Sequence, residues 1–144
     1  MTTKRENILA QIKTTLANTT GVGSRIYRSR LVPLTRNESP AIVIEPISDN
    51  AEQNTSLPTL DWSLQVRVVV IVRGTTSNSP DKVGDATVES LHSKMCSDLT
   101  LNGNAIDVQP LGVDFQMVDA DQPSALISTN WLIRYRTEVD DLTQ

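Results

Sequence analysis

The sequence predicts an α+β domain: a two-layer α/β sandwich, with a mainly antiparallel four-stranded sheet and two helices packed on one face. Three patterns carry this expectation. In "LDWSLQVRVVVIVRG", residues 60–74, Trp62, Leu64, Val66, Val68, Val70 and Val72 fall on one side of an extended chain. Near the N-terminus Ile8, Ile12 and Leu16 recur every fourth position, with Leu9 beside them. A second such series, Val83, Thr87, Val88, Leu91, Met95 and Leu99, follows the long strand. The chain has 144 residues, the length of one domain.

The first helix is expected over residues 4–17, where Thr3 and Glu6 have capping-box spacing. "NTTG" ends it. "GVGSRIYRSRLVPLTRNESP" then reads as a long irregular segment, with a basic loop at about 21–38. It carries Arg25, Arg28, Arg30 and Arg36, with no acid before Glu38. "PAIVIEPI" is the first strand; Pro40 is tolerated at its start, and Pro46 should end or bend it. The polar residues at about 47–59, including "SDNAEQNTSLP", read as a hairpin tip or flexible segment. The strand over 60–73 comes next.

The second helix has clear punctuation. Ser79 can cap, Pro80 fits the first helical position, and Asp81 lies where the helix dipole favours negative charge. Gly84 weakens the helix by roughly 1 kcal/mol relative to Ala, and is either there for close packing or only tolerated. "AIDVQPLGVDFQMVDA" and "ALISTNWLIRYRTEV" supply the last two strands.

This layering makes a core of Trp62, Leu64, Val66, Val68 and Val70 under Ile8, Ile12, Leu16, Leu91 and Met95. Val69 and Ile71 are left on the other face, where a strand with one wet side should be polar. A chain of this length offers no third layer, so a partner subunit or a folded-back loop must cover them. The hydrophobic fraction is 38% and the aromatic fraction 3%, low values that make help from neighbouring subunits plausible.

The charge is uneven. Residues 1–36 carry seven Lys or Arg against one acid, a net +6; residues 37–144 carry six against sixteen, a net −10. An acidic body argues against general nucleic-acid affinity, although one basic loop can still face a phosphate backbone. The plain reading is that basic and acidic ends balance.

Catalytic machinery is sparse. One cysteine, Cys96, excludes an intrachain disulfide and multi-cysteine metal patterns. His92 is the sole histidine; four residues from Cys96 on one helix, it could form a Cys–His pair, but a boundary histidine above a small thiol is the simpler reading. "GVGSR" does not sit between a strand and a helix and is no phosphate cradle, and no P-loop, dinucleotide or zinc-protease pattern occurs. "VDADQ" and "EVDDL" lack the ligand spacing of a calcium loop and read as solvated charge. No apolar run spans a bilayer and no signal-peptide core is visible, so a cytoplasmic origin without membrane or cofactor is expected.

The order and spacing of five pieces resemble the tail terminator family of long-tailed bacteriophages, the group of the lambda-like minor tail protein U. These are the N-terminal helix, "SPAIVIEP", "LDWSLQVRVVVIV", "SPDKVGDATVESLHSKM" and "WLIRYRTEV", together covering roughly residues 4–139. The resemblance implies a non-enzymatic virion protein without cofactor, forming a hexameric ring on the head-proximal end of the tail tube. Such a ring ends tube polymerisation and presents the surface for head attachment. Its implied partners are further copies of itself (homohexamer, or monomer before assembly), the major tail tube protein, the head–tail connector protein, and DNA in transient passage. Val69 and Ile71 become the expected assembly interface, and Arg25, Arg28, Arg30 and Arg36 a basic loop facing lumen or partner. The polar segment 47–59 and the arginine-rich loop 25–36 are departures that leave open a flexible or contractile tail, and a phage or a prophage remnant. A head-side neck or connector ring, a non-viral subunit of a cytoplasmic bacterial complex and, last, a small enzyme remain as alternatives.

Overall fold

Alternation along β3 (Thr59–Arg73) organises the molecule. The computed structural model describes residues 2–28, 40–53, 56–74, 79–118 and 124–143. Around β3 lie α1 (Lys4–Thr15), β1 (Ile26–Arg28), β2 (Ala41–Glu52), α2 (Pro80–Ser97), β4 (Asp107–Val118) and β5 (Ser124–Glu138). The sheet order is β1-β2-β3-β5-β4. β1 runs parallel to β2, and every other neighbouring pair is antiparallel.

The register puts Val68 opposite Ile44 on one side and Thr129 on the other. Alternation then lines one face with Ile42, Ile44, Leu64, Val66, Val68, Val70, Val72, Ile127, Trp131 and Ile133, all buried. Both helices close this face. α1 packs on β1 and β2 and contributes Ile8, Leu9 and Ile12, with Leu16 just beyond its end; α2 packs on β3 and β5 through Leu91 and Met95. Every residue of the expected core is buried except Trp62, which is half-buried. Trp62 stacks on Tyr135, with ring centres 6.1 Å apart, and donates its indole N–H to Thr137 Oγ1 at 2.8 Å. Trp131 is the tryptophan sealed in the core, 1% exposed, and it donates to Thr129 Oγ1 at 2.9 Å.

The sheet departs from expectation in having five strands and one parallel pair. The extra strand, β1, lies inside the segment 21–38 expected to be irregular. Three residues, of which only Ile26 is buried, are too few to display a period of two. Of the two outcomes expected at Pro46, an end or a bend, the strand does not end there. The register shifts between Pro46 and Ser48, a bulge that absorbs the missing N–H, and pairing continues to Glu52 opposite Asp61. Residues 48–52 of the expected hairpin tip are therefore strand.

The helices begin as expected with small differences. Thr3 accepts the Glu6 N–H at 3.2 Å, but the Glu6 carboxylate turns to Arg28 and leaves the capping box half made. Ser79 holds the cap position of α2 without a side-chain capping bond. Leu99 is 43% exposed and lies beyond the helix, so it does not belong to the covering face. Gly84 is there for close packing: a Cβ on it would come within 2.9 Å of Ile127 Cδ1 and 3.1 Å of Val72 Cγ2.

Candidate assembly surface

Five strands at about 4.8 Å spacing make a sheet about 24 Å wide, whereas two helices about 10 Å across cover about 20 Å. The strand left over is β4. In its first half Val108 alone is buried, 2% exposed. A bulge between Pro110 and Gly112 follows. Beyond it Val113, Phe115 and Met117 lie opposite Thr129, Ile127 and Ala125, whose side chains are buried on the helix side of the sheet. The three therefore point to the helix side, where α2 packs chiefly on β3 and β5 and leaves them exposed. They are 47%, 64% and 55% exposed, and Leu111 at the bulge is 51% exposed.

This row lies on a sheet edge. Among the described residues no strand pairs with the outer backbone of β4. Edge strands are usually blunted by charge, proline or a bulge, and past Gly112 β4 has only the single charge of Asp114. Where the row meets α2, a cavity of about 90 Å³ opens between Val88, His92, Pro110, Val113 and Trp131. Apolar groups line most of it.

The open face of the sheet carries the two residues singled out as an interface. Val69 is 8% exposed in the single chain and Ile71 is half-buried. They line a groove of about 210 Å³ with Val43, Leu126, Glu45 and Arg67, the last two bridged at 3.6 Å. Ala41 and Val43 on this face are buried as well. Val69 is thus nearly closed by its own chain, and β4 offers far more apolar surface.

The basic segment is tied down where it is described. Arg25 donates through Nε to the Pro40 carbonyl at 2.9 Å and through Nη2 to the Gly21 carbonyl at 2.6 Å. Arg28 makes a two-pronged contact with Glu6, both bonds 3.0 Å. Those bonds lower the Glu6 carboxyl from its ordinary value and raise the Arg28 guanidinium. Both arginines thus have internal partners; for Arg28 this is because the start of α1 lies beside β1, a contact that twenty-two residues of sequence conceal. Arg30 and Arg36 lie outside the described residues.

A polar cluster not foreseen joins α1, β2 and β5. Asp49, its side chain 6% exposed, accepts from the Tyr135 hydroxyl and from Arg5 Nη1 at 3.2 Å. Burial pushes the Asp49 carboxyl up, and burial with the adjacent carboxylate pushes the Tyr135 phenol far above its ordinary range. The partners are eighty-six residues apart, and no local pattern announces them.

Little here resembles a reaction centre. His92 Nε2 is 3.7 Å from Cys96 Sγ, and its ring lies 5.5 Å from that of Trp131, so packing explains its position. Asp141, in "EVDDL", accepts from the N–H and hydroxyl of Thr143 and closes a turn. The core of "VDADQ" lies outside the described residues. Among the described residues no three His, Cys, Asp or Glu side chains converge as a metal site, and no helix is long and apolar enough to cross a membrane.

No family model matches this chain, and no curated protein matches it. The fold has a likeness among solved structures. It is similar to a chain of the "Virion of native gene transfer agent (GTA) particle", with a TM-score of 0.52 at 11% identity. The match covers 90% of this chain and 94% of that one. At this identity the similarity is one of fold.

Proposed function

We propose that this chain is a non-enzymatic structural subunit of a phage-like or gene-transfer-agent-like particle. Its specific role is to form a ring at the head-proximal end of the tail tube, where it ends tube growth and offers the surface for head attachment. The observation that carries this reading is the uncovered apolar row of β4 on an open sheet edge. A monomeric domain rarely leaves such an edge bare, and a subunit built to be completed by a neighbour does. The similarity of fold to a chain of a gene transfer agent virion supports the setting. The five sequence pieces that resemble tail terminators support the finer role. The reading assigns no cofactor and no catalytic residue.

Native mass spectrometry at micromolar concentration tests the ring. The expected result is a hexamer, or a monomer that becomes a hexamer when tail tubes are supplied. A dimer that persists with tubes present would contradict it. Closed cyclic symmetry is what allows one unlike-surface contact to repeat without running on into a filament.

A further inference from the structure

We propose that the copies join edge to edge, β4 of one copy against β1 of the next. The inference rests on the self-association part of the preceding reading and not on tail termination. Its first support is topology. Among the described residues β1 and β4 are the two edges of the sheet, so a second copy can extend the sheet at either end. Following the pairings from β1 through β2, β3 and β5 leaves β4 antiparallel to β1. A copy continuing the sheet in the same sense therefore meets its neighbour in the antiparallel arrangement, the more stable of the two per residue.

The second support is charge. β4 itself carries Asp107 and Asp114 and no Lys or Arg. Residues 24–28, which contain β1, carry Arg25 and Arg28 and no acid. Arg28 is compensated by Glu6, but the groups that hold Arg25 are neutral carbonyls that leave its charge in place. One edge is acidic and the other basic.

Charge then chooses between the two ways a second copy could sit. A two-fold pairing of β4 with β4 would also be antiparallel and would bury both apolar rows. It would also bring the two acid-only segments together, and like charges across strands are unfavourable. Pairing β4 with β1 sets the acidic edge against the basic one. Because the two surfaces differ, the contact is head to tail and can close into a ring. β1 is three residues long, so it can supply few backbone bonds; Val113, Phe115 and Met117 provide the apolar part of the contact.

The test places a photoreactive benzophenone amino acid at Phe115, 64% exposed and therefore replaceable without disturbing the core. The full chain is mixed as ¹⁵N-labelled and unlabelled copies, with tail tubes if they are needed for assembly, then irradiated and mapped by mass spectrometry. The expected product joins Phe115 of one copy to a peptide containing residues 20–28 of another. Cross-links between two β4 segments would overturn the proposal, as would capture of the tube protein alone or the absence of any inter-copy cross-link. If hexamers form while the cross-links contradict edge pairing, the ring reading stands and only this interface fails. If no copies associate even with tubes, both fail.

Discussion

Asp49 is a carboxylate in a costly place. It is buried at the junction of α1, β2 and β5, and one of its oxygens, Oδ1, has no hydrogen-bond partner there. The Tyr135 hydroxyl and Arg5 compensate only in part, so the folded chain holds the Asp49 proton more tightly than the unfolded chain does. Stability from this group is then fully present below 3.8, the ordinary value, and is lost as pH rises through the higher folded value. Asp49→Asn removes that titration yet keeps an acceptor for Tyr135. Its contact with Arg5 is a small loss, since the arginine side chain is 40% exposed. Urea unfolding across pH 3.5–7 should show the variant gaining on the native chain as pH rises, with the largest difference at neutral pH. A difference that grows toward acid would show that the carboxylate stabilises the fold. None of this was legible in the sequence, because side chains meeting across three elements leave no periodic trace. The core residues were legible, since burial on one face repeats along a strand or helix. Trp62 and Trp131 show the limit: both alternate correctly, and only their depth in the sheet separates them.

Gly84 shows how one element fixes its distance to another. α2 approaches so closely there that an added Cβ meets Ile127 Cδ1 and Val72 Cγ2. Gly84→Ala gains about 1 kcal/mol of helix propensity but overpacks the helix–sheet contact, which costs typically 1–3 kcal/mol. A net destabilisation of about 1 kcal/mol is expected from urea denaturation; a stabilised variant would mean the contact is slack. Among the elements, long periodic ones were legible and short ones were not. β1 is too brief for a pattern and owes its existence to pairing with β2. The extension of β2 past Pro46 depends on a bulge, which sequence alone does not specify. The alternation in "GVDFQMV" does predict a two-faced strand over part of β4. That α2 leaves its apolar side largely exposed follows only from the sheet order.

At the scale of the whole molecule, the fifth strand changes what the protein can do. With four strands, two helices would close one face, and attention would fall on Val69 and Ile71 behind it. With five, the face is too wide for its helices, and the surplus emerges at an edge as an apolar row. That edge is acidic while the opposite one is basic, so a copy of the chain presents two different ends to its neighbours. A subunit of this kind fits a closed ring better than a two-fold dimer, in keeping with the proposed role. The proposed tail-end role is tested most directly in particles from cells that carry this reading frame intact or deleted, by measuring tail-tube lengths in electron micrographs. The account predicts one narrow length with the intact frame, and overlong, headless tubes of variable length without it. Tubes of normal, uniform length joined to heads in its absence would contradict it.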